Sequence, residues 1–477
     1  MIRSLFLSLL VIQLFGCTQD KGFKNNASSS SFRSLSSLKG AVVSGYVVDM
    51  KSGEVLASER PDVRMTPASL SKLFTTSAAL SILGPDFRYQ TRIAGKGKVV
   101  NGRLNGDLLV IGGGDPTLGS KYFSSTHPDT VFSKIFHIIK KAGIRSVSGK
   151  LVIVTNYFDP PAYPSLRMWE DMSNYYGAPP ASLTFMDNTF YVNLRSPKRT
   201  GEKCSINEIV PDVEIKMDCR VVSSASKKDS AYIYGFPGLK EWYIDGSIPA
   251  GRKWFVVKGA MPFPEKVFAR KLKGYLKNRG INLNGVSFER SFKKESVKTF
   301  GVIYSPPLSD IIKIVNKRSV NLFADHIFLT LAKETGKADW GHARRVFDKF
   351  WKEKLGENNI HLHDGSGLSP FNYFTPQDMV NALKFNAAGN TAEAFKGSLS
   401  VSGVDGTLKR IWNSKKAKGR VIGKSGYMQG VLGYAGYIRT EGDRQLAFCV
   451  IVNRFREPVA DVRKLIEKDI EELILTN

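Results

Sequence analysis

Strand-like segments stand at both ends of this 477-residue chain, and that placement limits its fold more than any other feature. Ala41 to Asp49 reads as a strand, Lys51-Ser52-Gly53 as a turn and Glu54 to Ala57 as the returning strand. Near the other end, Gly419 to Arg439 and Arg444 to Asn453 read as antiparallel strands, and Asp461 to Leu475 as a closing helix with apolar residues at helical spacing. Helical patterns cluster before them, after Ser309, around Val320–Glu334 and around His342–Lys354. From about 88 to 300 the pattern is mostly short strands and turns, with helices near Thr130–Ala142 and Pro264–Asn278. The expected fold class is mixed α/β: a domain split in sequence over 40–87 and 281–477, with β-rich inserted material over 88–280. A small nested unit is expected at about 190–255.

Hydrophobic content of 42% and charged content of 23% are those of an ordinary globular protein with ample core. The formal net charge of +26 calls for an anionic partner or a well-solvated basic surface. The N-terminus narrows this. Met1-Ile2-Arg3 is a short positive start, and Ser4 to Phe15 is an apolar run. A bilayer needs roughly 20 residues, so the run has the length of a signal-peptide core rather than a span. Leu14-Phe15-Gly16-Cys17 resembles a lipobox, with Cys17 the lipidated residue and residues 1–17 the signal. A plain cleaved signal or an uncleaved anchor are the alternatives. All three place the chain in the periplasm or cell envelope, make nucleic acid a poor partner, and turn the charge toward an anionic envelope surface. Residues 18–39, Ser-rich, read as a flexible tether. Export permits disulfides, and Cys204 and Cys219 could close a short loop. Cys449, inside the Leu446–Val452 run, reads as core.

Chemistry enters at Ser69-Leu70-Ser71-Lys72. Thr66 can cap a helix, Pro67 suits its first position, and an apolar run continues to Leu83 before Gly84-Pro85 ends it. Residues three apart on a helix share a face, so Ser69 and Lys72 come within reach of each other. A serine hydroxyl needs a base to become a nucleophile, and a lysine serves only when burial or a nearby cation lowers its pKa. Ser36–Lys39, Ser224–Lys227 and Ser291–Lys294 have the same spacing without a helix start, so position and not the pattern singles out Ser69. Ser319-Val320-Asn321 opens a predicted helix, where Ser and Asn are also ordinary caps. Lys424-Ser425-Gly426 lies inside a predicted strand, where glycine admits close approach of another backbone.

These three motifs, in this order, resemble the S-x-x-K, S-D-N and K-T-G signature of penicillin-recognising serine enzymes, with Val320 and Ser425 departing from it. Gly112-Gly113-Gly114-Asp115-Pro116-Thr117-Leu118, Tyr176-Gly177-Ala178-Pro179, Asp364-Gly365-Ser366-Gly367-Leu368 and Gly403-Val404-Asp405-Gly406-Thr407-Leu408 narrow the resemblance to class C, low-molecular-mass penicillin-binding proteins. Those are DacB-like D-alanyl-D-alanine carboxypeptidases and endopeptidases, and the resemblance runs from about 40 to 470. It implies a serine β-lactamase/transpeptidase-like catalytic domain, an antiparallel sheet flanked by helices. It implies Ser69 as nucleophile, Lys72 as general base, Ser319 as proton relay, Asn321 as substrate orienter, and Lys424 and Ser425 facing the terminal carboxylate. Gly426 would let the substrate approach the strand, and the N–H groups of Ser69 and Tyr427 would form the oxyanion hole. Asp171 and Met428 match positions near the substrate's diamino-acid side chain. Peptidoglycan peptides are the implied partners, β-lactams the covalent inhibitors, and no cofactor is implied. Tyr427 stands where the family has a small hydroxyl residue, which shifts the expectation toward endopeptidase action.

His361-Leu362-His363-Asp364 has metal-like spacing but no third ligand nearby, so no metal is expected. Two other functions are open: a β-lactamase-like hydrolase with the same nucleophile and fast deacylation, and a non-catalytic envelope protein that binds peptidoglycan through its basic surface.

Overall fold

The structure is a computed structural model, described for residues 32–291 and 297–477. Its central sheet has six strands in the order Ser400–Val401, Val421–Met428, Val431–Arg439, Gln445–Asn453, Val42–Asp49, Val55–Glu59. All neighbours are antiparallel. The two ends of the chain meet in this sheet: Val42 lies opposite Asn453 and Asp49 opposite Leu446.

The Gln445–Asn453 strand shows why its sequence is apolar at almost every position. Side chains alternate across a strand. Ala447, Cys449 and Ile451 pack toward helices Ser71–Leu83 and Pro376–Ala388. Leu446, Phe448, Val450 and Val452 pack on the opposite side with Ile466, Ile470 and Leu473 of helix Val459–Thr476. Both faces are covered, so both must be apolar. Cys449 is a buried free thiol within that core.

A second sheet runs Val286–Glu289, Leu151–Val154, Arg103–Ile111, Gln90–Val100, Val297–Tyr304. Helices Pro128–Lys141 and Pro264–Lys277 lay their apolar sides, including Val131, Ile135, Phe268 and Leu272, into one cluster with Ile93, Leu108 and Ile153. Val286–Glu289 and Val297–Tyr304 hydrogen-bond to this sheet, so its chain returns to the central domain after Tyr304, not at 281 as expected. Pairing decides the point, because both strands find their ladder partners on the insert's side. Three small sheets follow within residues 189–260. Their inward residues Phe190, Trp242 and Ile244 belong to the second sheet's own cluster, so this unit shares a core rather than owning one.

Two further expectations need correcting. The segment from Phe32, assigned to a tether, is packed: Phe32 and Leu35 are buried, and the N–H groups of Ser34 and Leu35 donate to the Asp469 carboxylate at 2.9 and 3.1 Å. Cys204 and Cys219 are free thiols. They are neighbours, but the Cys219 Sγ is turned to the backbone carbonyl of Cys204, 3.4 Å away, rather than bonded to its sulfur. Cys17 and the signal segment lie outside the described residues. Among the described residues no helix is long and apolar enough to cross a membrane.

Candidate active site

Ser69 sits in a short 3-10 turn, Ala68–Leu70, that leads into helix Ser71–Leu83. Pro67 rather than Thr66 holds the cap position, and the Thr66 hydroxyl instead donates to the Pro370 carbonyl at 3.3 Å. Ala68 has φ +47°, a left-handed conformation uncommon for a residue with a Cβ. Gly367 presses on it. A Cβ at Gly367 would overlap the Ala68 carbonyl, and its own φ of +78° also favours glycine. Helix Ser71–Leu83 is buried on nearly every side, so Lys72 is driven into the interior while Ser69 stays partly exposed.

The Lys72 ammonium nitrogen lies 2.8 Å from Ser69 Oγ, 2.7 Å from Asn321 Oδ1 and 2.5 Å from the Ser366 carbonyl. Asn321 opens helix Asn321–Thr330, while Ser319 closes helix Leu308–Arg318 in a left-handed conformation, φ +56°. The motif is thus a sharp joint between two helices and not a simple helix start. Such strained residues concentrate at functional sites. Across the cleft, Lys424 on strand Val421–Met428 donates from Nζ to Ser319 Oγ at 2.9 Å and to the Ser425 carbonyl at 2.6 Å. Residues 249 and 105 positions apart in sequence therefore converge on one hydroxyl-rich point.

Beneath Lys72 lies a buried charge cluster that motif reading did not find. Arg167 Nη2 donates to Asp325 Oδ2 at 2.9 Å and Asp364 Oδ2 at 3.0 Å, all three side chains almost fully enclosed. Asp364 also accepts from the N–H of Gly367 at 2.7 Å, of Ser369 at 2.8 Å, and from the Asn372 amide at 2.9 Å. It thereby shapes the loop whose Ser366 carbonyl meets Lys72. Helical spacing was the available signal: Asp325 lies one turn after Asn321 on a helix that is otherwise mostly apolar.

Burial is the largest influence on Lys72 and pulls its pKa down; Asp325 and Asp364 pull it back up, Arg167 opposes them, and it settles at about 7. A lysine poised there can take a proton at neutral pH. Burial and the neighbouring Lys72 drive Lys424 well below its ordinary value. Burial raises Asp325 to about 6 against the pull of Arg167. For Asp364 the burial effect is overcome by Arg167 and the donors just named, and its carboxyl is held below the usual range.

The remaining predicted residues surround this centre unevenly. Gly426 backs directly onto the Ser69 turn: a Cβ there would stand 2.6 Å from the Pro67 carbonyl oxygen and 3.2 Å from Leu70 N. Gly426→Ala is therefore expected to push strand and turn apart and slow β-lactam acylation by roughly tenfold or more, with a near-native melting temperature. Stopped-flow acylation and thermal melts check this. Tyr427, the next residue, is 59% exposed and lines a groove of about 1000 Å³ with Met428, Thr66, Pro370 and Arg454. Asp171, on the short helix Trp169–Met172, touches none of the three motifs directly. It hydrogen-bonds the Tyr176 side chain, and the Tyr176 carbonyl accepts from Asn321 Nδ2 at 2.9 Å. Burial raises its pKa. Met428 lines the Tyr427 groove as well. His361 stacks on Tyr373 while Asp364 turns inward to Arg167, so the two do not converge. Among the described residues no group of three or more His, Cys, Asp or Glu could hold a metal ion.

An antiparallel sheet that lays a lysine-bearing strand beside a helix-start Ser–Lys pair, the serine partly exposed and the lysine buried, defines the serine hydrolases of β-lactamase/transpeptidase-like fold. Within that class, the chain belongs to the D-Ala-D-Ala carboxypeptidase 3 (S13) family, whose profile matches residues 28–473. It is an enzyme, a hydrolase of the serine peptidase type. It is 26% identical over 426 residues to D-alanyl-D-alanine carboxypeptidase DacB of Haemophilus influenzae, covering 87% of this chain and 86% of that protein. It is 28% identical over 443 residues to a D-alanyl-D-alanine carboxypeptidase of an Actinomadura species, covering 88% and 79%. The crystal structure of penicillin binding protein 4 from Haemophilus influenzae superposes with a TM-score of 0.82 at 24% identity, over 93% of this chain and 99% of that one. The same protein complexed with a β-lactam superposes at 0.78 and 23% identity, with the same coverage.

Proposed function

We propose that this chain is an exported D,D-peptidase of the cell envelope. It removes the terminal D-alanine of peptidoglycan stem peptides, cleaves D-alanyl cross-links, and is acylated by β-lactams. One observation carries the reading: a single amine, Lys72 Nζ, bonds at once to Ser69 Oγ, Asn321 Oδ1 and the Ser366 carbonyl, with a second lysine on Ser319 across the cleft.

Ser69 Oγ attacks the carbonyl carbon of the penultimate D-Ala, and its proton passes to Lys72. The developing oxyanion takes the N–H groups of Ser69 and Tyr427. Ser319 carries a proton to the leaving amine, the peptide C–N bond breaks, and an acyl ester on Ser69 remains for water to cleave. Two enclosed lysines side by side cannot both hold charge cheaply. An entering carboxylate favours the ammonium form of Lys424, against the burial and the neighbouring Lys72 that lower its pKa. Asn321, held by Lys72 and Tyr176, orients the substrate amide, and Asp171 behind Tyr176 suits the ammonium of a diamino-acid side chain. The relatives named above as D-alanyl-D-alanine carboxypeptidases, and the β-lactam bound to one of them, support this reading. The basic charge suits the anionic envelope, and the lipobox-like Cys17 a lipid anchor.

The test is incubation with purified pentapeptide monomers and cross-linked dimers, followed by mass spectrometry. Release of D-alanine and conversion of dimers to monomers, both absent in Ser69→Ala, is the expected result. Rapid turnover of nitrocefin without either peptide product would instead identify a β-lactamase, and peptidoglycan binding without any product a non-catalytic binding protein.

Tyr427 gives this reading a specificity prediction. An exposed phenol ring offers a terminal carboxylate little where a short hydroxyl would bond it. Tyr427→Thr is expected to raise D-alanine release relative to cross-link cleavage by roughly tenfold, the worth of one hydrogen bond to a charged group. An unchanged product ratio would remove Tyr427 from substrate choice.

A further inference from the structure

Outside the catalytic cleft, the strongest unassigned feature is a stack of aromatic rings on the nested β unit. Strands Tyr232–Tyr234, Glu241–Asp245 and Lys216–Cys219 form a three-stranded sheet in that order with Glu241–Asp245 in the middle. Ile233, Trp242 and Ile244 face the core. By alternation the opposite face carries Tyr232, Tyr234 and Tyr243. Tyr234 lies directly across from Tyr243, and their rings stack at 4.9 Å and 16°. The Arg220 guanidinium covers the far side of the stack, 4.1 Å from the Tyr243 ring. Trp169 closes the near side, its ring 5.4 Å from Tyr234.

The stack holds Trp169 from behind, yet the indole is 58% exposed, and Tyr232 beside it is 46% exposed. An exposed aromatic held in place by others loses little entropy on binding, which is how such rings serve as contact points. Its position is informative too. Trp169 lies in the same wall as Arg167, under the active centre, and Asp171, behind Tyr176 and Asn321. Trp169 is therefore joined to the cleft through its own short helix, whose Asp171 bonds Tyr176 and, through it, Asn321.

Charge narrows the ligand. On a chain of net charge +26, this face carries Asp218, Glu241 and Asp245 against Lys216 and Arg220, with Glu170 next to Trp169. Lys216 is paired to Glu241 at 3.8 Å and Arg220 to Asp218 at 2.8 Å. The two cations of this sheet are thus paired, and a face that carries more carboxylates than cations on so basic a chain does not suit a polyanion. Ring faces set among paired polar groups suit a neutral, hydroxyl-rich ring with an apolar face.

We propose that Trp169 and the Tyr234–Tyr243–Arg220 stack behind it form a subsite for N-acetylated hexopyranose rings of the glycan strand, next to the peptidase cleft. The source of that glycan rests on the peptidase reading above; the binding itself does not.

The experiment titrates the mature protein carrying Ser69→Ala with a peptide-free β-1,4-linked N-acetylglucosamine tetrasaccharide, read by ligand-observed NMR and calorimetry. Saturable binding is expected, weakened roughly tenfold by Trp169→Gln and retained by Trp169→Phe. Tyr232→Ser, at the exposed edge, is the second variant and is expected to weaken binding several-fold if Trp169→Gln does not fold. No saturable binding, or binding that neither ring removal changes, overturns the proposal. Free pentapeptide cleavage, measured on the same substitutions in a Ser69 background, separates the two readings. Its absence in the unsubstituted enzyme would refute the peptidase, while sugar binding would still stand or fall with Trp169.

Discussion

Lys72→Met is expected to leave a folded protein whose acylation by penicillin is slower by roughly 10²–10⁴-fold, the usual worth of a positioned general base. Methionine matches the length of the lysine stem and suits an enclosed apolar site. Two acceptors, Asn321 Oδ1 and the Ser366 carbonyl, lose their donor, at a cost of about 1–3 kcal/mol each. Loss of a buried amine offsets part of that cost, so the melting temperature should fall only modestly. The pH profile is the sharper readout. Only the unprotonated amine accepts a proton, and the pKa of Lys72 is drawn down to about 7. The wild-type acylation rate should therefore rise with pH through a limb centred there, and Lys72→Met should lack the limb. A variant within tenfold of wild type, or one that keeps the limb, would assign the base elsewhere.

Arg167→Met should have the larger effect on stability. It leaves Asp325 and Asp364 enclosed together with no cation between them. Breaking a buried pair by removing one partner costs about 3–5 kcal/mol, because the remaining charge stays buried. Urea midpoints measure this. The cost should shrink in Arg167→Met combined with Asp325→Asn, which removes the charge left behind. The cluster also reaches Lys72. Arg167 lowers the lysine pKa, whereas Asp325 raises it. Arg167→Met should move the acylation limb to higher pH, and Asp325→Asn alone should move it lower. Opposite movements would show that the cluster tunes the base as well as supporting the Asp364–Asn372 loop. Destabilisation with an unmoved limb would confine it to support.

The sequence exposed the split sheet because strand Gln445–Asn453 is apolar on both faces and its partner Val42–Asp49 is the first strand of the described chain. It also exposed the residues now seen to converge, since Ser69 and Lys72 share a helix turn and short motifs survive without knowledge of the fold. Three things were hidden, each for a physical reason. The return point after Tyr304 depends on ladder partners, which no local pattern specifies. Phe32 and Leu35 were lost in a Ser-rich stretch, where two apolar residues look incidental until a buried Asp469 is found to hold the backbone. Arg167 belongs to no motif, and its partners lie 158 and 197 residues away. A charge buried by tertiary structure reads, in sequence, as an ordinary surface arginine.

We propose that Ser69, activated by Lys72, forms the acyl-enzyme. Intact-protein mass spectrometry after brief exposure to penicillin, with the adduct mapped by proteolysis, tests it most directly. One stoichiometric adduct on the peptide containing Ser69, absent in Ser69→Ala, is the predicted result. An adduct on another residue, or none on a folded wild-type protein, would contradict it.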